Sequence, residues 1–578
     1  LPVNDTEEMT GEAGLDLWYV VKFDKDTDVQ KAVKELSQVS DLAKIQYSHE
    51  LKRPEVRRPF NLYAGTQQAV NTLQTRNTLP FNDEGLSKQW HYINTGDPAV
   101  LNSVAGADVN CAEAWEKCAG DPSIIVAVMD EGVMWAHPDL EANMWVNEKE
   151  VYKSNIDNDG NGYTGDVYGY NFAEDKAGIS WSAAADTGHG THVAGTIAAV
   201  NGNGQGVCGI AGGSGNNDGV KIMSIQIFSG NYGVTAYNEA RAIKYAADNG
   251  AVILQCSWGY NSSLADPATT PRGPATDEEW IKAASVEKEA FDYFIHNAGS
   301  PNGVIDGGLV IFASGNEYAG AAGYPGAYGD YISVSALDAA YMPACYTNFG
   351  TGVDISAPGG DMDFHQGEAG DIYSTLPPAL TPDGSGYGYM EGTSMACPHV
   401  SGVAALGLSY AAKLRKHYTA AQFKEMVLNS VRDLSPYMKQ QKLYYKYYAM
   451  QGTNSPVLMD LPRQYQGQMG RGLIDAGMLL SQVEETGVKL DLPNVYLAIG
   501  ENNKKSIELA RFFDDGESLT FTVQSADTSI ATVSVIDGKL IVIGVTEGST
   551  TYTVTASNGK TQTADITVRR KANDNGWL

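Results

Sequence analysis

The chain has 578 residues and carries a formal net charge of −29 at neutral pH. A chain of this length is too long for one ordinary hydrophobic core, so we expect two or three domains. The charge argues against nucleic acid as a partner, because no surplus of basic residues is available to displace the counterions of a phosphate backbone. The sequence has no run of about 18 apolar residues, so we expect no transmembrane segment.

The cysteines and the first residue bear on the cellular compartment. Six cysteines lie at positions 111, 118, 208, 256, 345 and 397. Cys111 and Cys118 are predicted at the two ends of one helix, where seven residues rise about 10.5 Å, which is too far for a disulfide. Cys256 and Cys397 are more typical of buried small apolar groups than of nucleophiles. The chain begins at Leu1, from which we expect that a leader was cleaved or left out.

The first region, residues 1–81, has an α+β pattern. Residues 17–23 and 42–47 are predicted as strands, and residues 29–39 as a helix, because their apolar side chains recur at the spacing of those elements. A second helix is predicted at residues 67–73. The region ends in an extended segment that contains Pro80.

A buried strand is predicted at residues 124–129, and Asp130, Glu131 and Gly132 follow it directly. Ligands gather at the carboxyl ends of strands in open α/β sheets. Asp130 is therefore our candidate for a carboxylate that orients a catalytic base.

A candidate calcium loop follows at residues 157–166. Calcium needs several oxygen ligands that converge from a short, sharply turning segment, and this loop alternates such oxygens with glycines. The candidate ligands are Asp157, Asp159, Asn161 and Asp166. The alternative interpretation is a solvated series of Asx turns without a metal.

A histidine between glycines supplies a candidate base. His189 precedes a helix-like run of small residues that ends near residue 199. Farther on, strands are predicted at residues 221–228 and 251–256 with a helix at 239–248 between them. This alternation predicts a parallel sheet with right-handed crossovers.

A serine in residues 392–402 supplies a candidate nucleophile. This stretch runs from a turn of small residues into an apolar helix, so Ser394 would lie beside helix N–H groups that lack intrahelical partners. A serine hydroxyl attacks poorly unless a base takes its proton and a third group orients that base. Asp130, His189 and Ser394 supply these groups in the chain order of the subtilisin triad.

These blocks, together with residues 313–316, resemble subtilisin-type serine proteases over roughly residues 82–480. The resemblance implies a parallel sheet with helices on both faces for residues 82–486. It also implies that the Asn316 side chain donates a hydrogen bond to the oxyanion. One departure is Glu131, since the family usually has Ser or Thr there; this carboxylate could perturb the base or point to solvent.

The resemblance further implies how a substrate is bound. Segments that contain Gly233 and, after the next strand, Ser257, Trp258 and Gly259 are expected to hold a peptide as an added strand. Gly323 matches the family segment at the base of the pocket for the residue before the scissile bond. We therefore expect protein or peptide substrates that are bound in an extended conformation.

Two further expectations come from the resemblance. Residues 1–81 are similar to inhibitory propeptides that act first as folding templates, and self-cleavage is then expected within residues 76–86; the alternative is a small accessory α+β domain. Asp139 and Asn203 match positions that help to bind calcium in related enzymes, although a polar surface turn is an alternative for both.

Residues 487–578 are rich in Thr, Val and Ser and alternate in polarity. Hairpin turns are predicted at Asp537–Gly538 and Asn558–Gly559. The pattern predicts an all-β sandwich similar to bacterial immunoglobulin-like modules, with a role as a spacer or an adhesion domain. The tyrosine-rich insertion at residues 437–459 shows no obvious chemistry.

Together these features predict a secreted or cell-envelope serine endopeptidase. We expect a monomeric zymogen that is inhibited by its own propeptide and stabilised by structural Ca²⁺. A silent or latent surface binding protein with a protease fold is the alternative from another functional class. Transpeptidation, in which an amine replaces water at the acyl-enzyme, is a third possibility.

Overall fold

The computed structural model describes residues 10, 13–40, 42–52, 79–299, 303–448, 453–489, 491–499, 503–513 and 518–569. Their α-helices are α1 (Val29–Leu36), α2 (Cys111–Lys117), α3 (His189–Ala198), α4 (Ala236–Asp248), α5 (Asp277–Ala283), α6 (Ser285–Asn297), α7 (Met362–His365), α8 (Thr393–Lys413), α9 (Ala420–Asn429), α10 (Leu461–Gln464) and α11 (Ala476–Glu485). Their strands are β1 (Ile125–Glu131), β2 (Gly169–Asn171), β3 (Lys221–Ser229), β4 (Tyr232–Gly233), β5 (Ile253–Cys256), β6 (Ile305–Asp306), β7 (Leu309–Ala313), β8 (Ile332–Leu337), β9 (Ile355–Pro358), β10 (Ile372–Thr375), β11 (Tyr387–Met390), β12 (Lys416–Thr419), β13 (Val431–Arg432), β14 (Gln441–Tyr448), β15 (Thr453–Asp460), β16 (Leu473–Ile474), β17 (Val488–Lys489), β18 (Val495–Ala498), β19 (Lys504–Glu508), β20 (Phe521–Ser525), β21 (Ala531–Ile536), β22 (Lys539–Gly544), β23 (Gly548–Ala556) and β24 (Thr561–Arg569).

A 10-stranded sheet forms the centre of the middle region. Its order is β13-β16-β9-β8-β7-β5-β1-β3-β2, and β4 pairs with β3. The pairs from β16 through β2 are parallel, whereas β13 and β4 run antiparallel to their neighbours. Strands are added on both sides of β1, so the carboxyl end of β1 lies at the kind of position where ligands bind in open α/β sheets.

Alternate residues of β1 enter two separate hydrophobic cores. Val126 and Val128 pack in the core that contains residues of α3 and α8, whereas Ala127 and Met129 pack in the core that contains residues of α4 and α6. Successive side chains of a strand point to opposite faces, so both faces of the sheet are covered by helices. The predicted subtilisin-like α/β architecture is confirmed.

The N-terminal region departs from its prediction. Helix α1 forms where a helix was expected, and Asp28 caps it by accepting a hydrogen bond from the N–H of Lys31. Residues 17–23 and 42–47, expected as strands, form no ladder with any described residue. Their apolar alternation was right for a strand, but a strand also needs a partner, which a local pattern cannot supply. The predicted helix at residues 67–73 lies outside the described residues.

The tyrosine-rich insertion forms a hairpin of β14 and β15. Lys442 of β14 is buried, and its ammonium nitrogen lies 2.8 Å from a carboxylate oxygen of Asp338 and 2.5 Å from one of Asp361. A buried ammonium group needs such partners, so this ion pair fixes the hairpin to the rest of the fold. None of the described helices is long and apolar enough to cross a membrane.

The C-terminal region contains two sheets around a core of its own. One sheet has the order β18-β24-β23-β20 and the other β19-β22-β21. Asp537 and Gly538 both have positive φ, as a two-residue turn of type I′ requires, and they connect β21 to β22. The predicted all-β sandwich is confirmed, whereas its similarity to immunoglobulin-like modules stays a prediction.

Candidate active site

Asp130 and His189 meet where the carboxyl end of β1 faces the first residue of α3. The Nδ1 atom of His189 lies 2.8 and 2.9 Å from the two carboxylate oxygens of Asp130, and both side chains are buried. Because a carboxylate only accepts hydrogen bonds, Nδ1 carries the proton and donates it. The lone pair of Nε2 is then the basic site of the ring.

Close packing of backbones brings these two side chains together. A Cβ atom at Gly190 would lie 2.2 Å from the carbonyl oxygen of Glu131 and 3.4 Å from the Cβ of Asp130. Only glycine lets the first turn of α3 approach the end of β1 this closely. Close packing at the site therefore explains why a glycine follows His189.

Glu131 does not point to solvent. Its buried carboxylate accepts hydrogen bonds from the N–H groups of Thr187, Gly188 and His189 and from the hydroxyl of Thr187. The carboxylate thus lies at the N-terminus of α3.

Ser394 is the second residue of α8, two residues after the glycine at the N-cap. Its hydroxyl donates to the carbonyl oxygen of Ser257 at 3.1 Å, and the hydroxyl of Ser257 donates to the carbonyl oxygen of Ser394 at 2.7 Å. These reciprocal hydrogen bonds tie the nucleophile candidate to the segment after β5. Helices α3 and α8 pack against each other, so His189 and Ser394 lie on neighbouring elements.

A buried amide supports this pair of serines. Gln255 donates from Nε2 to the hydroxyl of Ser257 at 2.7 Å, and its Oε1 accepts hydrogen bonds from Ser401 and Cys397. Sequence reasoning missed Gln255, because one glutamine in an apolar strand has no motif. It identified Cys397 correctly as a buried group: burial raises the pKa of this thiol, and all six cysteines are buried and form no disulfide.

Asn316 lies beside the start of α8 with its side-chain amide oriented by Thr393. Its Oδ1 accepts hydrogen bonds from the N–H and the hydroxyl of Thr393, both at 2.9 Å. The opposite end of the amide, Nδ2, is then free to face the site as a donor. A Cβ atom built on Gly392 would lie 3.6 Å from both this Nδ2 and the N–H nitrogen of Ser394. Both nitrogens therefore lie close to Gly392.

The predicted substrate edge at Gly233 is covered by the N-terminal region. The N–H of Leu51 donates to the carbonyl oxygen of Val234 at 3.0 Å, and Glu50 forms an antiparallel bridge with Thr235. A Cβ atom at Gly233 would lie 1.7 Å from the carbonyl oxygen of Leu51. An extended segment of this chain therefore lies where a peptide ligand was expected.

The other expected substrate contacts differ in their surroundings. The indole of Trp258 is buried and donates to the carbonyl oxygen of Met129, so only its backbone could contact a peptide. Gly259 lies against the carbonyl oxygen of Tyr324. A side chain at Gly323 would meet the carbonyl oxygen of Tyr260 at 2.0 Å, so backbone packing explains this glycine and gives no support to an open pocket above it.

The candidate calcium loop brings together part of the predicted ligand set. Oxygen atoms of Asp157 and Asp159 lie within 4.8 Å of each other and of an oxygen of Glu150, which sequence reasoning missed because it precedes the loop. Asp166 does not join this group: its carboxylate accepts hydrogen bonds from Tyr245 and from Asn161. Burial raises the pKa of Asp166.

The second pair of expected ligands is in contact. Asn203 donates from Nδ2 to Oδ1 of Asp139 at 2.7 Å, and burial raises the pKa of Asp139 to about 7. Asp83 lies near the same loop: one carboxylate oxygen accepts from the N–H of Gly202, and the other is buried without a partner among the described residues. Sequence reasoning missed Asp83, since a single aspartate in a loop has no pattern.

Comparisons of the sequence with known proteins find relatives that are named as proteases. The chain is 33% identical over 362 residues to an extracellular protease of Xanthomonas campestris pv. campestris. This alignment covers 62% of this chain and 54% of that protein. It is 29% identical over 326 residues to a thermophilic serine proteinase of Bacillus sp. strain AK1. That alignment covers 56% of this chain and 61% of that protein. The chain thus spans about half the length of the curated relatives it matches.

A solved structure and a family model extend the comparison. The serine protease of Aeromonas sobria, solved in complex with a chaperone, matches with a TM-score of 0.50 and 16% identity, over 86% of this chain and 94% of that chain, which supports the fold alone. The model of the subtilase family matches residues 121–451, more than half of the chain. The matched range contains Asp130, His189, Asn316 and Ser394, and the chain belongs to the subtilase family.

Proposed function

We propose that this chain is a serine endopeptidase that hydrolyses peptide bonds through Asp130, His189 and Ser394. The observation that carries the proposal is the buried hydrogen bond of Asp130 to Nδ1 of His189, on a helix that packs against the helix of Ser394. Membership in the subtilase family and the proteases among its relatives support it.

Each residue has a defined role in this mechanism. Nε2 of His189 takes the proton of Ser394 as the hydroxyl attacks the peptide carbonyl, and later gives it to the leaving amine. Asp130 holds the tautomer and stabilises the imidazolium. The hydroxyl of Ser394 must turn from the carbonyl of Ser257 toward His189, and hydrogen bonds of this kind often tighten only in a substrate complex.

The oxyanion is stabilised by Asn316 Nδ2 and the backbone N–H of Ser394. Both nitrogens lie 3.6 Å from the position that a Cβ atom would take on Gly392, at the N-terminus of α8. Preorganised donors of this kind stabilise charge that develops in the transition state and need no reorganisation during the reaction.

The N-terminal region acts as an inhibitory propeptide in this proposal. Its residues 50 and 51 cover the edge at Gly233, where an extended substrate would bind. Gln46 accepts a hydrogen bond from the N–H of Val286 at 2.9 Å, which attaches the region to the N-terminal turn of α6. Activity then requires that this region is cleaved and leaves.

Calcium is the proposed structural cofactor. Glu150, Asp157 and Asp159 would supply carboxylate oxygens at one site. The carboxylates of Asp83 and Asp139, with the side-chain amide oxygen of Asn203, would supply oxygens at another. Oxygen-rich loops of this kind suit a hard cation, and the partnerless buried oxygen of Asp83 is consistent with an ion there.

Secretion is proposed from the extracellular relatives, and the C-terminal sandwich is assigned as a spacer or an adhesion domain.

Hydrolysis of denatured casein by the purified chain tests the proposal, with the Ser394→Ala variant as the control. We expect new amino termini with the unmodified chain and none with the variant. Product masses in the presence of a free amine distinguish hydrolysis from transpeptidation. A folded chain that forms no product after another protease has removed its N-terminal region would favour the alternative, a silent binding protein.

A further inference from the structure

Helix α3 has no N-terminal capping side chain of its own. The N-cap residue is Gly188, with φ +80 and no side chain to accept a hydrogen bond. The first N–H groups of a helix lack intrahelical acceptors and, when buried, need partners from elsewhere. His189 is the first residue of this helix, so any freedom at its N-terminus would move the imidazole directly.

Glu131 of β1 supplies the missing acceptors. One carboxylate oxygen lies 2.9 Å from the N–H nitrogen of Gly188 and 3.1 Å from that of His189, and the other lies 2.8 Å from the hydroxyl of Thr187. The carboxylate also carries negative charge to the positive end of the helix dipole. The helix is thus capped from a neighbouring strand rather than from its own sequence.

Both acidic side chains at the end of β1 reach the start of α3. In a regular strand, the side chains of Asp130 and Glu131 would point to opposite faces. The regular pairing of β1 with β3 is interrupted between these residues, since Asp130 pairs with Gln226 and Glu131 with Phe228, which leaves Ile227 as an extra residue in β3. The hydrogen bonds place the carboxylate of Asp130 at the imidazole ring and that of Glu131 at the backbone N–H groups.

We propose that Glu131 is a positioning residue that fixes the orientation of His189 by capping α3 from β1. This inference rests on the proposed function for its kinetic consequence. With 2% of its surface exposed and its oxygens occupied by α3, Glu131 is not a substrate contact. This capping role explains why the chain has a carboxylate at a position where the family usually has Ser or Thr.

The test compares Glu131→Ala and Glu131→Gln with the unmodified chain. Alanine removes the acceptors, whereas glutamine keeps one oxygen that can accept from Gly188 and His189. Asp475→Ala is the matched control, since Asp475 is also 2% exposed and caps another ten-residue helix, α11, with its carboxylate. Glu131→Asp keeps the charge but shortens the reach, and serves if Glu131→Ala does not fold.

Kinetics give the first readout. We expect Glu131→Ala to lower kcat at least about 10-fold with KM changed less than about twofold, because small displacements of catalytic groups are costly. Glu131→Gln should recover most of this loss, Glu131→Asp should lie between, and Asp475→Ala should lower thermal stability but not kcat. An unchanged kcat in folded Glu131→Ala or Glu131→Asp, or a change in KM alone, overturns the proposal.

A proton NMR measurement gives a readout that needs no turnover. The Nδ1–H of His189, bonded to Asp130, should give a low-field signal that weakens in Glu131→Ala and persists in Glu131→Gln and Asp475→Ala. Persistence of this signal in Glu131→Ala overturns the positioning role. If the unmodified chain shows the signal but no hydrolysis, the proposed function fails while the positioning role is still decided by the variants.

Discussion

Asn316 shows how one residue prepares another for its role. Thr393 occupies Oδ1 of Asn316 with two hydrogen bonds, so that Nδ2 is left to face the space beside Gly392. The sequence pointed to Asn316 through its block of residues 313–316. It gave no separate signal for Thr393, because a threonine within the serine block has no distinguishing chemistry until the contact with Asn316 is seen.

Replacement of Asn316 by Ala should lower kcat strongly and change KM little. The donor acts on charge that develops only in the transition state, and removal of the corresponding donor in subtilisin costs about 2.7–4 kcal/mol. Steady-state kinetics on a peptide substrate measure the change. The melting temperature should remain near that of the unmodified chain, since Asn316 is partly exposed. A large rise in KM with an unchanged kcat would instead assign Asn316 to ground-state binding.

At the scale of elements, α8 combines the nucleophile candidate with a buried pair of neutral histidines. His399 donates from Nδ1 to the carbonyl oxygen of Met395, and its Nε2 accepts a hydrogen bond from Nδ1 of His91 at 2.8 Å. Burial lowers the pKa of both residues, to about 3 for His399. Protonation would place a charge in an apolar interior one turn after Ser394.

Acid should therefore destabilise this part of the fold. Below about pH 6.5 the unfolded chain gains protons on these histidines that the folded chain does not bind, so stability falls as the pH drops toward 3. His399 contributes roughly 2 kcal/mol of this loss at pH 5. Urea unfolding at pH 7 and pH 5 should show a smaller acid loss in His91→Gln, whose amide can still donate to His399. Equal losses in both proteins would show that the pair titrates normally.

The loop between Glu150 and Asp166 should depend on calcium. A cation would relieve the repulsion among Glu150, Asp157 and Asp159, whose oxygens lie within 4.8 Å of one another. Binding at 100-fold above Kd stabilises the folded state by about 2.7 kcal/mol, so a chelator should lower the melting temperature. Asp159→Asn should reduce this sensitivity, whereas Asp383→Asn, at an exposed site, should retain it. Equal chelator sensitivity in both variants would exclude this loop as the site.

Some elements could be predicted from the sequence, whereas others could not. Runs of apolar residues located β1, β3 and β5, because parallel strands that are buried on both faces have continuous apolar sequences. The same kind of pattern misplaced strands at residues 17–23 and 42–47, because the existence of a neighbouring strand is not a local property. Glu150 and Asp83 were missed for a related reason, since each approaches its loop from elsewhere in the chain.

At the scale of the whole molecule, the N-terminal region packs against the region that contains the central sheet. Leu51 is buried in the core that contains α4 and α6, and its backbone covers Gly233. The position of this contact could not be read from the sequence, because an extended segment with one leucine resembles any loop. The three catalytic candidates could be predicted, since they lie in blocks that contain glycines. Two of these glycines have a physical reason: a Cβ atom at Gly190 would collide with the carbonyl oxygen of Glu131, and Gly392 has φ +150.

In the proposed zymogen, weakening the contact of Leu51 should shorten the lag before peptide hydrolysis begins. Leu51→Asp would place a carboxylate in an apolar core, so the N-terminal region should be lost sooner and activity should appear earlier. Val39→Asp is the control, because Val39 belongs to the same region but is 46% exposed. Progress curves of peptide hydrolysis, together with the intact mass of the chain, follow both events. An unchanged lag in Leu51→Asp would show that this contact does not limit activation.

The most direct test of the account is the reaction of the folded chain with a fluorophosphonate, followed by mapping of the adduct by peptide mass spectrometry. Such a reagent traps a serine only where a base activates its hydroxyl and donors hold the developing oxyanion. We predict one adduct on Ser394, slower labelling in His189→Ala and no labelling in Ser394→Ala. An adduct on another residue, or labelling that is unchanged by either substitution, would contradict the assignment of this site.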